Sequence, residues 1–278
     1  MCMSCSEQPA RTIIDCHAHI YPDGIARRAA DSIAAFYDMP VRLDGSVGAL
    51  LESGAQAGVG RWLVHSVAVT PERVRAVNTF LGRAVAVQGG RFVGFGSLHP
   101  ALADMAGELA ALRRCGLVGV KLHPDFQRFL IDDASSVRML RAIADAGLHT
   151  LIHAGDSRQP FSQPSRIARA LDAVPGLRVI CAHLGGWSVW QDAWPLLAGR
   201  PNLWVDTSSS LYALAPDEAA ANIRRYGADR VLFGTDYPMW SPDDELARVD
   251  ALPLTPRERE DILHENFERF FGATGTLA

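Results

Sequence analysis

The stretch Ile13-Ile14-Asp15-Cys16-His17-Ala18-His19 ends an apolar run in two histidines two residues apart. Side chains alternate across a strand, so Asp15, His17 and His19 are expected on one face. Two imidazoles on one strand end make half of a metal site, because imidazole binds zinc and similar borderline ions well. Further candidates recur downstream. Lys121 and His123 stand in GVKLH, His153 in LIH, His183 in CAH and Asp236 in GTD, each closing or following an apolar run. A catalytic zinc needs three or four converging nitrogen and oxygen ligands and one position left for water. His17, His19 and His153 can supply nitrogens. Asp236 can supply an oxygen, or accept the proton of a water whose pKa such an ion lowers to about 7. His183 lies one strand after His153 and is better placed to orient that water or polarise a substrate.

Two residues carry two readings each. Lys121 either pairs with Asp15 or another carboxylate, or belongs to the site. His123 precedes Pro124 and either shapes the loop or meets substrate. His65, His99, His149 and His264 are read as structural or surface residues.

These residues need a scaffold that brings distant strand ends together. Apolar β-type runs are expected at residues 12–17, 62–69, 92–98, 118–122, 149–153, 178–183, 203–207 and 231–234. Helical segments follow each of them, and helices are expected at 25–36 and 47–57 inside a longer first loop, residues 20–60. Thr70 is expected to cap a helix whose first turn holds Pro71. Most strand ends recur roughly every 24 to 32 residues, the size of a β/α unit. Eight such units predict a single-domain (β/α)8 TIM barrel, whose active site lies at the C-terminal ends of its strands. The alternative is an open doubly wound sheet. It is disfavoured because no Gly-x-Gly-x-x-Gly follows the first strand and polar residues recur at many strand ends.

The 278 residues allow a substantial core, and 48% hydrophobic with 21% charged residues is ordinary for a soluble globular chain. The net charge of −4 offers no basic field for nucleic acid or anionic membrane. No apolar run has the length of a membrane span, and the start MCMSCSEQPAR lacks signal-peptide character. Five cysteines, an odd and sparse set, argue against a disulfide framework, so a cytoplasmic setting is expected. Cys2-x-x-Cys5 falls in residues 1–11, expected to form a mobile tail ahead of a domain over 12–278.

Taken in order, IIDCHAHI, GVKLHPDFQ, LIHAG, CAHLGG and LFGTDYP resemble the amidohydrolase superfamily, and within it the "amidohydrolase 2" branch of metal-dependent TIM-barrel hydrolases. The similarity covers residues 12 to 271. It implies His17, His19 and His153 as metal ligands, Asp236 as ligand and proton shuttle, and His183 as an assistant to water or substrate. It implies one divalent ion, zinc first, with a second ion held through a carbamylated Lys121 in some relatives. The branch also contains non-oxidative decarboxylases related to aminocarboxymuconate semialdehyde decarboxylase. The expected activity is therefore hydrolysis of an amide, ester or lactone in a small molecule, with decarboxylation as the alternative. A metal-binding barrel without catalysis is disfavoured, since Asp236 and His183 serve proton chemistry. Barrels of this kind often self-associate, so a homo-oligomer is an expectation too. Loop positions add Lys121, His123, Arg158 and Trp187 as candidate contacts for a flat, carboxylated substrate.

Overall fold

In the computed structural model, which describes residues 12–272, eight parallel strands stand side by side in sequence order. They are β1 (Ile13–His19), β2 (Val59–His65), β3 (Phe92–Ser97), β4 (Gly119–Leu122), β5 (His149–Ile152), β6 (Val179–Cys181), β7 (Leu203–Asp206) and β8 (Val231–Leu232). The ring closes between its first and last strands. The Cys16 N–H donates to the Phe233 carbonyl at 2.8 Å, and the His19 N–H donates to the Tyr237 carbonyl at 2.8 Å. The result is the expected TIM barrel in one domain. Among the described residues no helix is long and apolar enough to cross a membrane. The Cys2–Cys5 pair lies outside the described residues.

The core has two layers, as parallel strands covered on both faces require. Between sheet and helices pack residues such as Trp62, Val64, Val120, Ile152 and Val205. Inside the barrel, Ile14, Cys16, Leu63, Phe95, Leu151, Ile180 and Leu232 meet Phe267, Phe270 and Phe271 of the helix Asn266–Gly272. The aromatic helix closes the floor, which leaves the opposite mouth for polar residues.

Two sequence expectations are corrected. β2 begins and ends earlier than the apolar run suggests, so His65 is its last residue and sits opposite His19 on β1. Asp15 does not share a face with His17 and His19. The β1–β2 register shifts between Asp15 and Ala18, which places a bulge at Cys16 and His17. Bulges re-aim side chains near active sites. Here Ile14 and Cys16 face the barrel interior below the bulge, and His17 and His19 face the mouth above it. Asp15 instead ties β1 to the chain after β8, accepting from the Thr235 N–H at 3.0 Å and the Thr235 hydroxyl at 2.6 Å.

The long first loop contains the expected helices, observed as Asp23–Tyr37 and Val47–Ala57. Ser46 caps the second by accepting from the Ala49 N–H at 3.2 Å. Thr70, expected as a cap, makes no side-chain capping bond; it precedes the 3-10 turn Pro71–Arg73.

Candidate active site

His17 and His19 leave β1 side by side, and Asp236 arrives from the loop after β8. Asp236 Oδ1 lies 3.3 Å from His17 Nε2 and 3.4 Å from His19 Nε2. The other imidazole nitrogen of His17 is fixed from behind. Its Nδ1–H donates to Asp206 Oδ2 at 2.9 Å, so Nε2 carries the lone pair toward Asp236. A carboxylate behind an imidazole is how proteins orient metal-binding histidines. Asp206 was not singled out from sequence. It ends β7 in LWVD, and that strand-end position is the signal that could have found it.

Lys121 is wholly buried, and its ammonium donates to His17 Nε2 at 3.0 Å. Burial pushes its pKa down to about 8, against the pull of Asp236 and Asp206. Its carboxylate neighbours are thus at β7 and β8, and Asp15 serves Thr235 instead.

His153 and His183 form the opposite wall. The His183 Nδ1–H reaches the Ser208 carbonyl at 3.0 Å, so His183 Nε2 accepts from His153 Nδ1 at 3.0 Å. Buried His153 Nε2 then has no hydrogen-bond partner, with Asp125 Oδ2 at 3.5 Å. Ser208 Oγ stands between the walls, 3.0 Å from His17 Nδ1 and 2.9 Å from His183 Nδ1.

The electrostatics follow from burial among imidazoles. Burial alone would raise the Asp236 pKa, but His17, His19 and His183 hold it well below the usual carboxylate range. Its Oδ2 accepts the Ser209 hydroxyl at 2.5 Å, and Trp240 steadies Ser209 by donating to it at 3.0 Å. His17, His19, His153 and His183 are all pushed down by burial and are neutral near pH 7. His183 and Asp236 both occupy left-handed backbone, with φ of 61° and 59°. Non-glycine residues tolerate this where the surroundings over-determine them, as functional sites do.

Three clusters bring three ligand atoms within 4.8 Å of one another: His17 with His19 and His65, His17 with His183 and Asp206, and His123 with Asp125 and His153. The first and third account for the expected ligands differently. His17, His19 and Asp236 come together as expected, whereas His153 groups with His123 and Asp125. His65, read as structural or surface, lies inside the barrel beside His17 and His19.

A metal ion fits this donor set. Neutral imidazoles and a carboxylate are the ligands that zinc and similar ions take. His19 Nδ1, both nitrogens of His65 and His153 Nε2 are buried without hydrogen-bond partners.

The cavity above is lined by Ile33, Tyr37, Phe126 and Met239 on its apolar side and by His19, His123, His153, His183 and Asp236 on its polar side. His123 shapes the loop and also lines the cavity. It caps the short helix Pro124–Gln127 by accepting from the Phe126 N–H at 3.3 Å, and it lines the cavity stacked on His153 at 3.9 Å. Tyr37, brought by the first-loop helix, meets His123 Nε2 at 2.9 Å. Arg158 and Trp187 form an outer layer away from the lining. The Arg158 guanidinium is bound by Asp156 at 2.9 and 3.0 Å and lies over Phe36, Tyr37 and Trp187, while Trp187 Nε1 donates to the Tyr212 hydroxyl at 3.2 Å.

Parallel barrel and mouth together define a barrel enzyme whose histidine and carboxylate side chains are able to hold a metal ion. More narrowly, the chain belongs to the amidohydrolase family, whose sequence profile matches residues 14–273. No curated protein matches it in sequence. Its fold is similar to an uncharacterised TIM-barrel protein of Bordetella bronchiseptica, at 23% identity and TM-score 0.77, covering 95% of this chain and 100% of that one. A dihydroxybenzoic acid decarboxylase of Polaromonas, solved with manganese and the inhibitor 2-nitroresorcinol, is similar at 20% identity and TM-score 0.71, covering 94% and 97%. A probable 2-pyrone-4,6-dicarboxylic acid hydrolase of Acinetobacter baumannii is similar at 16% identity and TM-score 0.68, covering 94% and 100%.

Proposed function

We propose that this protein is a metal-dependent hydrolase that cleaves an amide, ester or lactone in a small molecule with an apolar, flat body. The observation that carries this reading is the placement of Asp236, within 3.4 Å of both His17 Nε2 and His19 Nε2 and beside the cavity. His17, His19, Asp236 and, across the cavity, His153 would hold the ion. When bound, a divalent ion, zinc first, supplies Lewis acidity and makes water acidic enough to ionise near neutral pH.

The chain's own groups handle the proton. The Asp236 pKa lies well below the usual carboxylate range, so it begins ionised, as a base. Ser209 occupies Oδ2, which leaves Oδ1 to take a proton from water and pass it to the leaving group. His183 donates from Nδ1 to the Ser208 carbonyl and accepts from His153 Nδ1 at Nε2, so it fixes the His153 ring with Nε2 of His153 turned to the site. Ile33, Tyr37, Phe126 and Met239 hold the apolar part of the substrate and exclude bulk water.

Decarboxylation is the second reading, and one observation favours it. The cavity lining contains no lysine or arginine, and Arg158 is already paired with Asp156. A substrate carboxylate entering there would be directed to the metal itself. Metal-loaded protein incubated in ¹⁸O-water with lactones, esters, amides and hydroxylated aromatic acids separates the two. Hydrolysis places ¹⁸O in the organic product, and decarboxylation releases carbon dioxide with no ¹⁸O in that product. Metal uptake without either reaction across the panel would refute both readings.

A further inference from the structure

His65 ends β2 in register with His19 on the neighbouring strand. The residue is fully buried, and neither Nδ1 nor Nε2 has a hydrogen-bond partner. A neutral imidazole carries one N–H and one lone pair, so this burial leaves a donor and an acceptor unmet. Buried polar groups in native proteins are nearly always paired, and an unpaired one calls for an explanation such as an ion. The surroundings point to one. The His65 ring stands edge-on to His19 at 4.3 Å and to His17 at 4.8 Å between centroids. One nitrogen from each of the three lies within 4.8 Å of the others. His153, the nitrogen ligand expected from β5, is bound to His183 through Nδ1 and keeps Nε2 without a hydrogen-bond partner, so it remains a ligand beside this group.

We propose that His65 is a further imidazole ligand of the ion held by His17 and His19, so that two adjacent strands supply three of its nitrogens. The proposal rests on the metal-dependent reading above. Three neutral nitrogens select zinc, cobalt(II) or a similar borderline ion over magnesium or calcium, which take oxygen ligands.

The test is a cobalt(II) titration of the chelator-stripped full chain, followed by visible absorption, in the wild type, His17→Ala and His65→Phe. Phenylalanine keeps a ring packed against His17 and His19 but has no ligand atom. Expected is a cobalt affinity at least tenfold weaker in His65→Phe, with altered absorption bands, and a melting temperature of the stripped protein that is unchanged or raised. Affinity within threefold of wild type, with the same bands, overturns the proposal. Should His65→Phe fail to fold, wild-type protein labelled with ¹⁵N-histidine carries the test. A strongly hyperfine-shifted His65 ring in the cobalt form supports ligation, and an unshifted one overturns it. The two readings fail separately. If folded wild type binds no cobalt, the metal-dependent reading falls and this proposal with it. If wild type and His65→Phe bind equally well while His17→Ala does not, only His65 is removed.

Discussion

Replacing Asp206 with asparagine tests how the site is assembled. The carboxylate accepts four hydrogen bonds: from His17 Nδ1 at 2.9 Å, the His183 N–H at 3.0 Å, the Ser208 N–H at 3.1 Å, and the Ser208 hydroxyl. Asparagine has one acceptor oxygen. Three of the four donors meet Oδ1, so that end keeps the oxygen and the amide NH2 turns to His17. Two donors cannot face each other, so His17 must move its proton to Nε2. That nitrogen then has no lone pair for an ion and meets the Lys121 ammonium with a second N–H. Loss of one charge-assisted hydrogen bond costs about 2 to 3 kcal/mol. For a domain of this size that lowers the melting temperature of the stripped protein by roughly 5 to 10 °C. Metal affinity should fall by about 10- to 100-fold.

The pH dependence has a definite sign. Burial by itself would raise the Asp206 pKa, but His17, His183 and Ser208 bring it below the ordinary carboxylate value. A depressed pKa contributes stability that is fully present above the unfolded value of about 4 and is lost as the pH falls through the folded value. The difference between wild type and Asp206→Asn should therefore persist from neutral pH down to about pH 5 and shrink only below that. Melting curves across pH and a cobalt titration at pH 7 are the assays. An Asp206→Asn protein with wild-type metal affinity and wild-type melting temperature would falsify the orienting role.

Three further perturbations probe other parts of the molecule. Gly155 has φ of +86°, and a Cβ there would sit 2.6 Å from Gly186 and Trp187 backbone atoms, so Gly155→Ala should destabilise by about 2 to 4 kcal/mol in urea unfolding; an unchanged midpoint refutes the close approach. Phe270 is fully buried against His149, Trp204 and Phe271 in the barrel floor, and Phe270→Ala should cost about 3 to 5 kcal/mol, read from the same unfolding curves. Glu245 is buried with Oε2 unpartnered, and burial, only partly offset by Arg248, pushes its pKa up to about 8. Between its usual 4.5 and 8 the folded chain holds a proton that the unfolded chain has released, so stability should fall as pH rises through that window. Glu245→Gln should flatten that slope; identical slopes in the two proteins would rule out a titrating Glu245.

The elements and the candidate site residues were legible in the sequence because both are local. Short β-branched runs closed by a polar residue mark strand ends, and a parallel barrel gathers strand ends at one mouth. That places His17, His19, His153, His183 and Asp236 at the mouth, along with the helices of the first loop. What the tertiary structure decided was pairing, which depends on neighbours distant in the chain. The bulge in β1 separates Asp15 from His17 and His19, and bulges arise from strand pairing rather than from composition. The role of Asp206 appears only when β7 stands behind His17, and that of His65 only when β2 stands beside β1. Arg158 looked free as a loop cation until Asp156 and the aromatic rings of the first-loop helix enclosed it. The sequence by itself determined the barrel, the family and the polar residues gathered at its mouth. Which imidazole faces which carboxylate, and hence each proton and lone pair in the site, depends on contacts a few ångströms long between residues up to 220 positions apart, and only the folded chain sets those.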